Sequence, residues 1–307
     1  MKNESEQNAP TRLLIVGAGG MLGTALVRVA PNRGHEPVAY TEAELDITDR
    51  AATQAALAAF AAGLTESGAG GAVVNAAAYT DVERAEDDVE RAYLINEQAA
   101  GWLAGAAHSE GLGFVHVSTD FVFDGTKTTP YTETDEPRPL SVYGASKLAG
   151  EREVFAAHPK ALIVRTAWSF GPGGTNFPLK ILQRARALRK DDGAGGVLRV
   201  VADEFGSPTY TVDLAEGLLA LLASGATGLF HLTSGGVCSR YELALETLRL
   251  AGFRVPGDLS VEPVSSSSFP TKAERPLYAV LDCAKAAESG VRLPKWQDGL
   301  ARFLAEL

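Results

Sequence analysis

The chain has 307 residues, 46% hydrophobic and 21% charged, enough to bury a large core in one big domain or two connected ones, and its glycines follow no collagen-like or solenoid period. A net charge of −10 disfavours nucleic acid or a membrane surface as partner, because both need an attractive basic field. Cys238 and Cys283 stand apart without CxxC or His-rich neighbours, and the five histidines show no ligand spacing, so no disulfide framework or metal site is indicated and a reducing cytoplasm is expected.

In chain order, residues 1–10 are polar and read as a disordered tail without the apolar segment of a signal peptide, and no run of about 18 apolar residues follows. From Arg12, short apolar runs alternate with helical patterns. Strands are expected at 12–16, 36–40, 72–76, 113–117, 161–165 and 197–201, with helices around 22–30, 49–62, 84–108, 142–157 and 176–188. The expected fold is α/β, a Rossmann-type doubly wound parallel sheet. Residues 11–170 read as a dinucleotide-binding domain. Residues 171–307, looser and interrupted by DDGAGG at 191–196, read mainly as a smaller, interleaved substrate-binding region with some segments returning to the first domain.

The first chemical signal is the GxxGxxG turn Gly17-Ala18-Gly19-Gly20-Met21-Leu22-Gly23, placed after a strand and opening a helix. Glycines at Gly17, Gly20 and Gly23 allow a tight turn and close approach of backbone N–H groups to a pyrophosphate at a helix N-terminus. The alternative is a plain strand–helix turn. After the second strand, Thr41 does not repel a 2′-phosphate and Glu42 suits a ribose hydroxyl, so the cofactor is NADPH or NADH. Asp46 suits the adenine amino group with Ile47 packing on the ring, or is simply a helix N-terminal carboxylate. The run Asn75-Ala76-Ala77-Ala78-Tyr79-Thr80 ends a strand with side chains small enough for a cofactor to lie on the backbone, though helix packing explains its alanines too.

The central constellation is Tyr143-Gly144-Ala145-Ser146-Lys147, preceded by Ser118-Thr119-Asp120 at a strand end. YxxxK puts both side chains on one helix face, a turn apart. A phenol that exchanges a proton near neutrality needs help; Lys147 supplies a cation that favours phenolate, and Thr119 can hydrogen-bond a substrate carbonyl. Chance YxxxK on a solvated face is the alternative.

Taken together, the stretches GAGGMLG (17–23), VVNAAAYTDVERAE (73–86), HVSTDFVFDGT (116–126), YTETDEPRPLSVYGASKLAGE (131–151), VRTAWSFGPGGTNF (164–177), DEFGSPT (203–209), GLFHLTSGG (228–236) and FPTKAERP (269–276) resemble the dTDP-4-dehydrorhamnose reductase family of extended short-chain dehydrogenases/reductases over nearly the whole chain. The resemblance implies reduction of the 4-keto group of dTDP-6-deoxy-L-lyxo-4-hexulose to dTDP-L-rhamnose, with Thr119, Tyr143 and Lys147 catalytic. It also implies cofactor contacts from Gly20, Met21, Leu22, Asp46, Ile47, Ala78, Tyr79, Thr80, Tyr143 and Lys147, and a sugar-nucleotide site lined by Thr119, Asp120 and Trp168. Arg275 is a candidate partner for the diphosphate, since guanidinium groups match phosphate oxygens; a surface salt bridge is its alternative. The chain departs from the family pattern at Lys272, where proline is usual, and at Leu277-Tyr278 after Arg275-Pro276.

Relatives set the competing readings. A 4,6-dehydratase needs an Asp-Glu pair where this chain has Asp120-Phe121; an epimerase would keep its nicotinamide bound and show no net redox; a non-catalytic regulatory subunit would bind cofactor without turnover. The protein is expected to work with a dTDP-sugar as a monomer or homodimer.

Overall fold

The computed structural model describes residues 12–67, 69–189 and 195–307; the expected tail over 1–10 and most of DDGAGG lie outside them. Six parallel strands form the central sheet: β1 (Arg12–Val16), β2 (Glu36–Tyr40), β3 (Gly71–Asn75), β4 (Gly113–Thr119), β5 (Leu162–Thr166) and β6 (Gly228–His231), in the order β2-β1-β3-β4-β5-β6. Register aligns their carboxyl ends, Val16 lying beside Tyr40 and Asn75, and Thr119 beside Thr166. The strand order reverses between β1 and β3, which opens a crevice where an α/β sheet binds its ligand.

The strands are nearly continuous in apolar residues because both faces are covered. Leu13 and Ile15 pack with helix α1 (Met21–Val29) and the helix Thr211–Ala223 on one side; Leu14 and Val16 pack with Leu57, Phe60 and Leu103 on the other. A smaller layer follows. Helices Phe177–Leu188 and Arg240–Leu250 cover a separate parallel pair, Val197–Val201 with Ser260–Val264, around Ile181, Leu182, Leu198, Val200 and Leu248.

Two expectations are corrected here. The strand at 197–201 exists but does not join the main sheet; the sixth sheet strand is β6, paired with β5 from Gly228 beside Leu162 to His231 beside Arg165. The helix expected over 84–108 is broken into Val82–Ala85, Val89–Tyr93, a π-helical turn Leu94–Ala99, and Ala100–Ser109. The wide turn serves a tertiary contact. It directs the Asn96 carboxamide inward, where Oδ1 accepts from the Tyr79 N–H (2.9 Å) and Nδ2 donates to the Tyr79 carbonyl (3.1 Å) and Ser146 Oγ (3.0 Å).

That turn rests directly on the helix Val142–Ala157: a Cβ placed on Gly150 would lie 1.9 Å from the Asn96 carbonyl oxygen. Gly150→Ala is therefore expected to lower stability by roughly 1–3 kcal/mol through overpacking. Gly105→Ala, whose added methyl meets only the Ala157 side chain at 3.6 Å, should hold or raise stability by about 0.5–1 kcal/mol. Urea denaturation of both variants checks this; equal effects would contradict it.

Candidate active site

The dinucleotide end starts at the β1–α1 turn. Gly17 has φ +82°, and a Cβ there would meet the Ala77 backbone nitrogen at 2.5 Å; one on Gly23 would meet the Gly17 carbonyl oxygen at 2.1 Å. Gly20 is different: its nearest neighbour would be 3.5 Å away, so the space over this residue is left for something other than protein. It caps α1 without a side-chain hydrogen bond, and no acidic residue sits in the first helical turn. Free N–H groups and an uncompensated positive dipole end therefore face the crevice.

Beyond the turn lies a cleft of about 450 Å³ lined by Gly17, Gly19, Gly20, Thr41, Glu42, Ala43, Leu45, Asp46, Ile47, Ala76, Ala77, Ala78 and Ile95. The structure thus gathers Gly17, Gly20, Thr41, Asp46, Ile47, Ala77 and Ala78 into one space. Thr41 donates its N–H and hydroxyl to Glu44 (2.9 and 2.7 Å). Asp46 Oδ1 accepts from the Thr48 N–H and hydroxyl, which holds the carboxyl below its usual range and leaves Oδ2 for another donor. Ile47 is largely buried in the core beneath.

Other expected cofactor residues stand elsewhere. Met21 starts α1 with its backbone and turns its side chain toward Gly174 and Asn176; Leu22 packs on the core, and Gly23 against the turn backbone. Tyr79 is held by Asn96 through its backbone and by Asp88 through its hydroxyl (3.3 Å), and Thr80 is exposed outside the cleft lining.

The Thr119, Tyr143 and Lys147 constellation sits where β4 ends against the helix Val142–Ala157, which Ser141 caps through the Gly144 N–H (3.2 Å). Tyr143 lies edge-on to Phe121 (5.5 Å, 74°) and beside Thr119. Burial pushes its phenol up to about 12; Thr119 opposes the rise and Asp120 adds to it. Lys147 is buried one turn on, its Nζ donating to the Val117 carbonyl (2.7 Å) and lying 3.2 Å from His116 Nε2. Burial brings the ammonium down to about 8, with Glu151 resisting. Beneath, Glu151 receives both Arg165 Nε (2.8 Å) and Nη2 (2.7 Å).

Asp120 is buried beside Thr119, whose hydroxyl donates to Oδ1 (3.0 Å), while Oδ2 has no hydrogen-bond partner. Burial lifts its carboxyl to about 7, against the pull of Thr119 and Arg240. Trp168 has φ +46°, a strain of about 1–3 kcal/mol in a non-glycine residue, and its ring is backed by Gly206, where a Cβ would come within 2.5 Å. Arg240 stacks on that ring at 3.5 Å and pairs with Glu204 at 3.6 Å. Arg275 is held by Glu83 (2.6 Å) and the Ala273 carbonyl (3.2 Å), so the salt-bridge alternative is the arrangement this structure contains.

Sequence reasoning missed Gly19, Ala43, Leu45 and Ile95 in the cleft, His116 and Asn96 beside the helix, and Arg240. Arg240 had a local signal. Ser239 and Glu242 form a capping box, so the intervening Arg240 is a cation at a helix N-terminus, where the dipole disfavours it.

The comparisons with known proteins decide the family. The model described as RmlD substrate binding domain matches residues 11–307. The dTDP-4-dehydrorhamnose reductase of Mycolicibacterium smegmatis is 40% identical over 96% of this chain and 85% of its own. The chain belongs to the dTDP-4-dehydrorhamnose reductase family. The spore coat polysaccharide biosynthesis protein SpsK of Bacillus subtilis is 35% identical over 96% of this chain and 98% of its own. A solved dTDP-4-dehydrorhamnose reductase from Bacillus anthracis, in complex with NADP, superposes with TM-score 0.86 at 32% identity, covering 97% of this chain and 100% of that one. The doubly wound parallel architecture of this reductase family member agrees with that likeness. Among the described residues no helix is long and apolar enough to cross a membrane.

The buried Asp120 generates a pH test. Its folded carboxyl lies above the unfolded value, so the fold favours the protonated form: the stability it contributes is present below about pH 4 and is lost as pH rises through about 7. Asp120→Asn should therefore be more thermostable than the parent at pH 8, with the difference shrinking toward pH 4. A difference independent of pH would contradict the assignment.

Proposed function

We propose that the protein reduces the 4-keto group of dTDP-6-deoxy-L-lyxo-4-hexulose (dTDP-4-dehydrorhamnose) to dTDP-L-rhamnose, using NADPH or NADH. The observation that carries this is the phenol of Tyr143, set beside Thr119 at the carboxyl end of β4 with Lys147 buried one turn behind it. Asp120-Phe121 provides a single carboxyl there, without the second that elimination of water would need.

The glycine turn, the bare N-terminus of α1 and the 450 Å³ cleft fit a dinucleotide: Gly20 and Met21 would hold the pyrophosphate, Asp46 and Ile47 the adenine end, and Ala77 and Ala78 the segment lying on the backbone. Bound there, the cofactor supplies the hydride. Lys147 would hold the nicotinamide ribose from one turn behind the phenol. Thr119, once its hydroxyl turns from Asp120, can donate a hydrogen bond to the substrate carbonyl oxygen, and Tyr143 donates the proton that this oxygen needs as its carbon is reduced. The free Oδ2 of Asp120 offers an acceptor to a sugar hydroxyl, and Trp168, stiffened by Arg240, offers a flat apolar face to the hexose ring. A diphosphate reaching Arg275 has to compete with Glu83.

On this reading residues 11–170, with 211–231 returning to the sheet, serve the dinucleotide, and the remainder of 171–307 covers the sugar nucleotide. The enzyme then works on a soluble substrate in the cytoplasm, as a monomer or homodimer.

The direct test is oxidation of NADPH and NADH in the presence of dTDP-6-deoxy-L-lyxo-4-hexulose. The wild type should consume cofactor stoichiometrically. Tyr143→Phe should lower kcat by on the order of 10²–10⁴ while still binding NADPH, followed by nucleotide fluorescence. A wild-type protein that binds NADPH yet oxidises none would overturn the proposed substrate.

A further inference from the structure

The proton inventory beneath Lys147 is fixed by the hydrogen-bond directions around His116. Asn75, at the end of β3, accepts from the Ala77 N–H through Oδ1 (3.1 Å), so its carboxamide cannot turn over without setting two donors against each other. Nδ2 is thereby directed at His116 Nδ1, 3.1 Å away. An N–H donor facing Nδ1 requires that nitrogen to be unprotonated, which places the single ring proton on Nε2. Nε2 lies 3.2 Å from Lys147 Nζ. All three side chains are buried, so no solvent competes for these sites.

From this chain of donors we infer that His116 is a positioning residue which, locked by Asn75 as its Nε2–H tautomer, presents a donor to the Lys147 nitrogen and favours the neutral amine over the ammonium. The amine has the complementary geometry: one N–H donates to the Val117 carbonyl (2.7 Å), the lone pair accepts from His116, and the other N–H stays available to the active site. An ammonium in the same place would set its N–H against the N–H of His116.

The remaining charges around Lys147 act in known directions. On its own helix are Tyr143 and Glu151; Glu151 favours the ammonium, but Arg165 from β5 pairs with it and offsets much of that field. Burial works with His116, and burial likewise keeps the imidazole itself neutral, well below its usual range. The reading makes Lys147 a group that can give up and take back a proton near neutrality, where a solvated lysine stays charged.

The first test uses the wild-type, cofactor-free protein and is independent of the proposed substrate. Imidazole ¹⁵N resonances of His116, identified by their loss in His116→Gln, should show an unprotonated Nδ1 and a protonated Nε2 from neutral pH upward to the alkaline limit of the fold. A protonated Nδ1, or an imidazolium, overturns the inference. The second uses Asn75→Asp, which preserves shape and the acceptor for Ala77 but replaces the donor facing Nδ1 with an acceptor. The tautomer should invert, Nε2 should become an acceptor for the ammonium, and the alkaline limb of kcat/KM should move to higher pH. This kinetic arm alone rests on the reductase reading. An inverted tautomer with the limb unmoved would show that His116 does not govern Lys147.

Discussion

The chemistry rides on one helix, Val142–Ala157, and that helix depends on a buried ion pair for its seat against the sheet. Glu151 projects under β4 and takes a two-point hydrogen bond from Arg165 of β5 and a further one from Ser118. With both partners desolvated, removing either leaves an unpaired charge at a cost of about 3–5 kcal/mol, so helix and strands are held in one relative position. Lys147 sits one turn above the pair and Tyr143 one turn above that. The pair also neutralises the carboxylate that would otherwise pin Lys147 as an ammonium. A structural device and an electrostatic one are the same two side chains.

Around that fixed helix the sheet brings the other parts to one edge. Parallel register ends β1, β3, β4 and β5 together, so the glycine turn, the Asn75–Ala78 segment, Thr119 and Trp168 emerge on the same side. The π-helical turn at Leu94–Ala99 is part of this arrangement, because Asn96 ties the Tyr79 backbone to Ser146 on the helix. Strain and burial meet here: a left-handed Trp168, an elevated Asp120 carboxyl, a lowered Lys147. These are unfavourable for folding and sensible for a site that must bind a sugar and move a proton.

Much of this was legible from residue order. β1, β2 and the helix Val142–Ala157 lie within a residue of where apolar runs and the YxxxK segment place them, since both-face burial writes itself as near-continuous apolar sequence. The glycine turn was readable because Gly17 and Gly23 have no steric alternative. β6 was not, because GLFH is a short run whose pairing with β5 depends on contacts more than sixty residues away. VLRVV has a stronger strand pattern, alternating buried and exposed, yet that alternation belongs to the small two-stranded layer. The π-helical turn inside the helix expected over 84–108 serves Asn96, whose partners Tyr79 and Ser146 lie elsewhere in the chain, a tertiary effect absent from local periodicity. His116 and Arg165 looked like ordinary strand residues; only the packing of β3, β4, β5 and one helix shows what their polar ends meet.

The central claim is that this geometry delivers hydride to a sugar carbonyl carbon in a net reduction. The most direct measurement is a single turnover with NADPH deuterated at the transferable position of C4 of the nicotinamide, followed by NMR of the sugar nucleotide. The account predicts one deuterium at C4 of the hexose for each NADPH oxidised. A rearranged sugar with the label still on the cofactor, and no net oxidation, would contradict it.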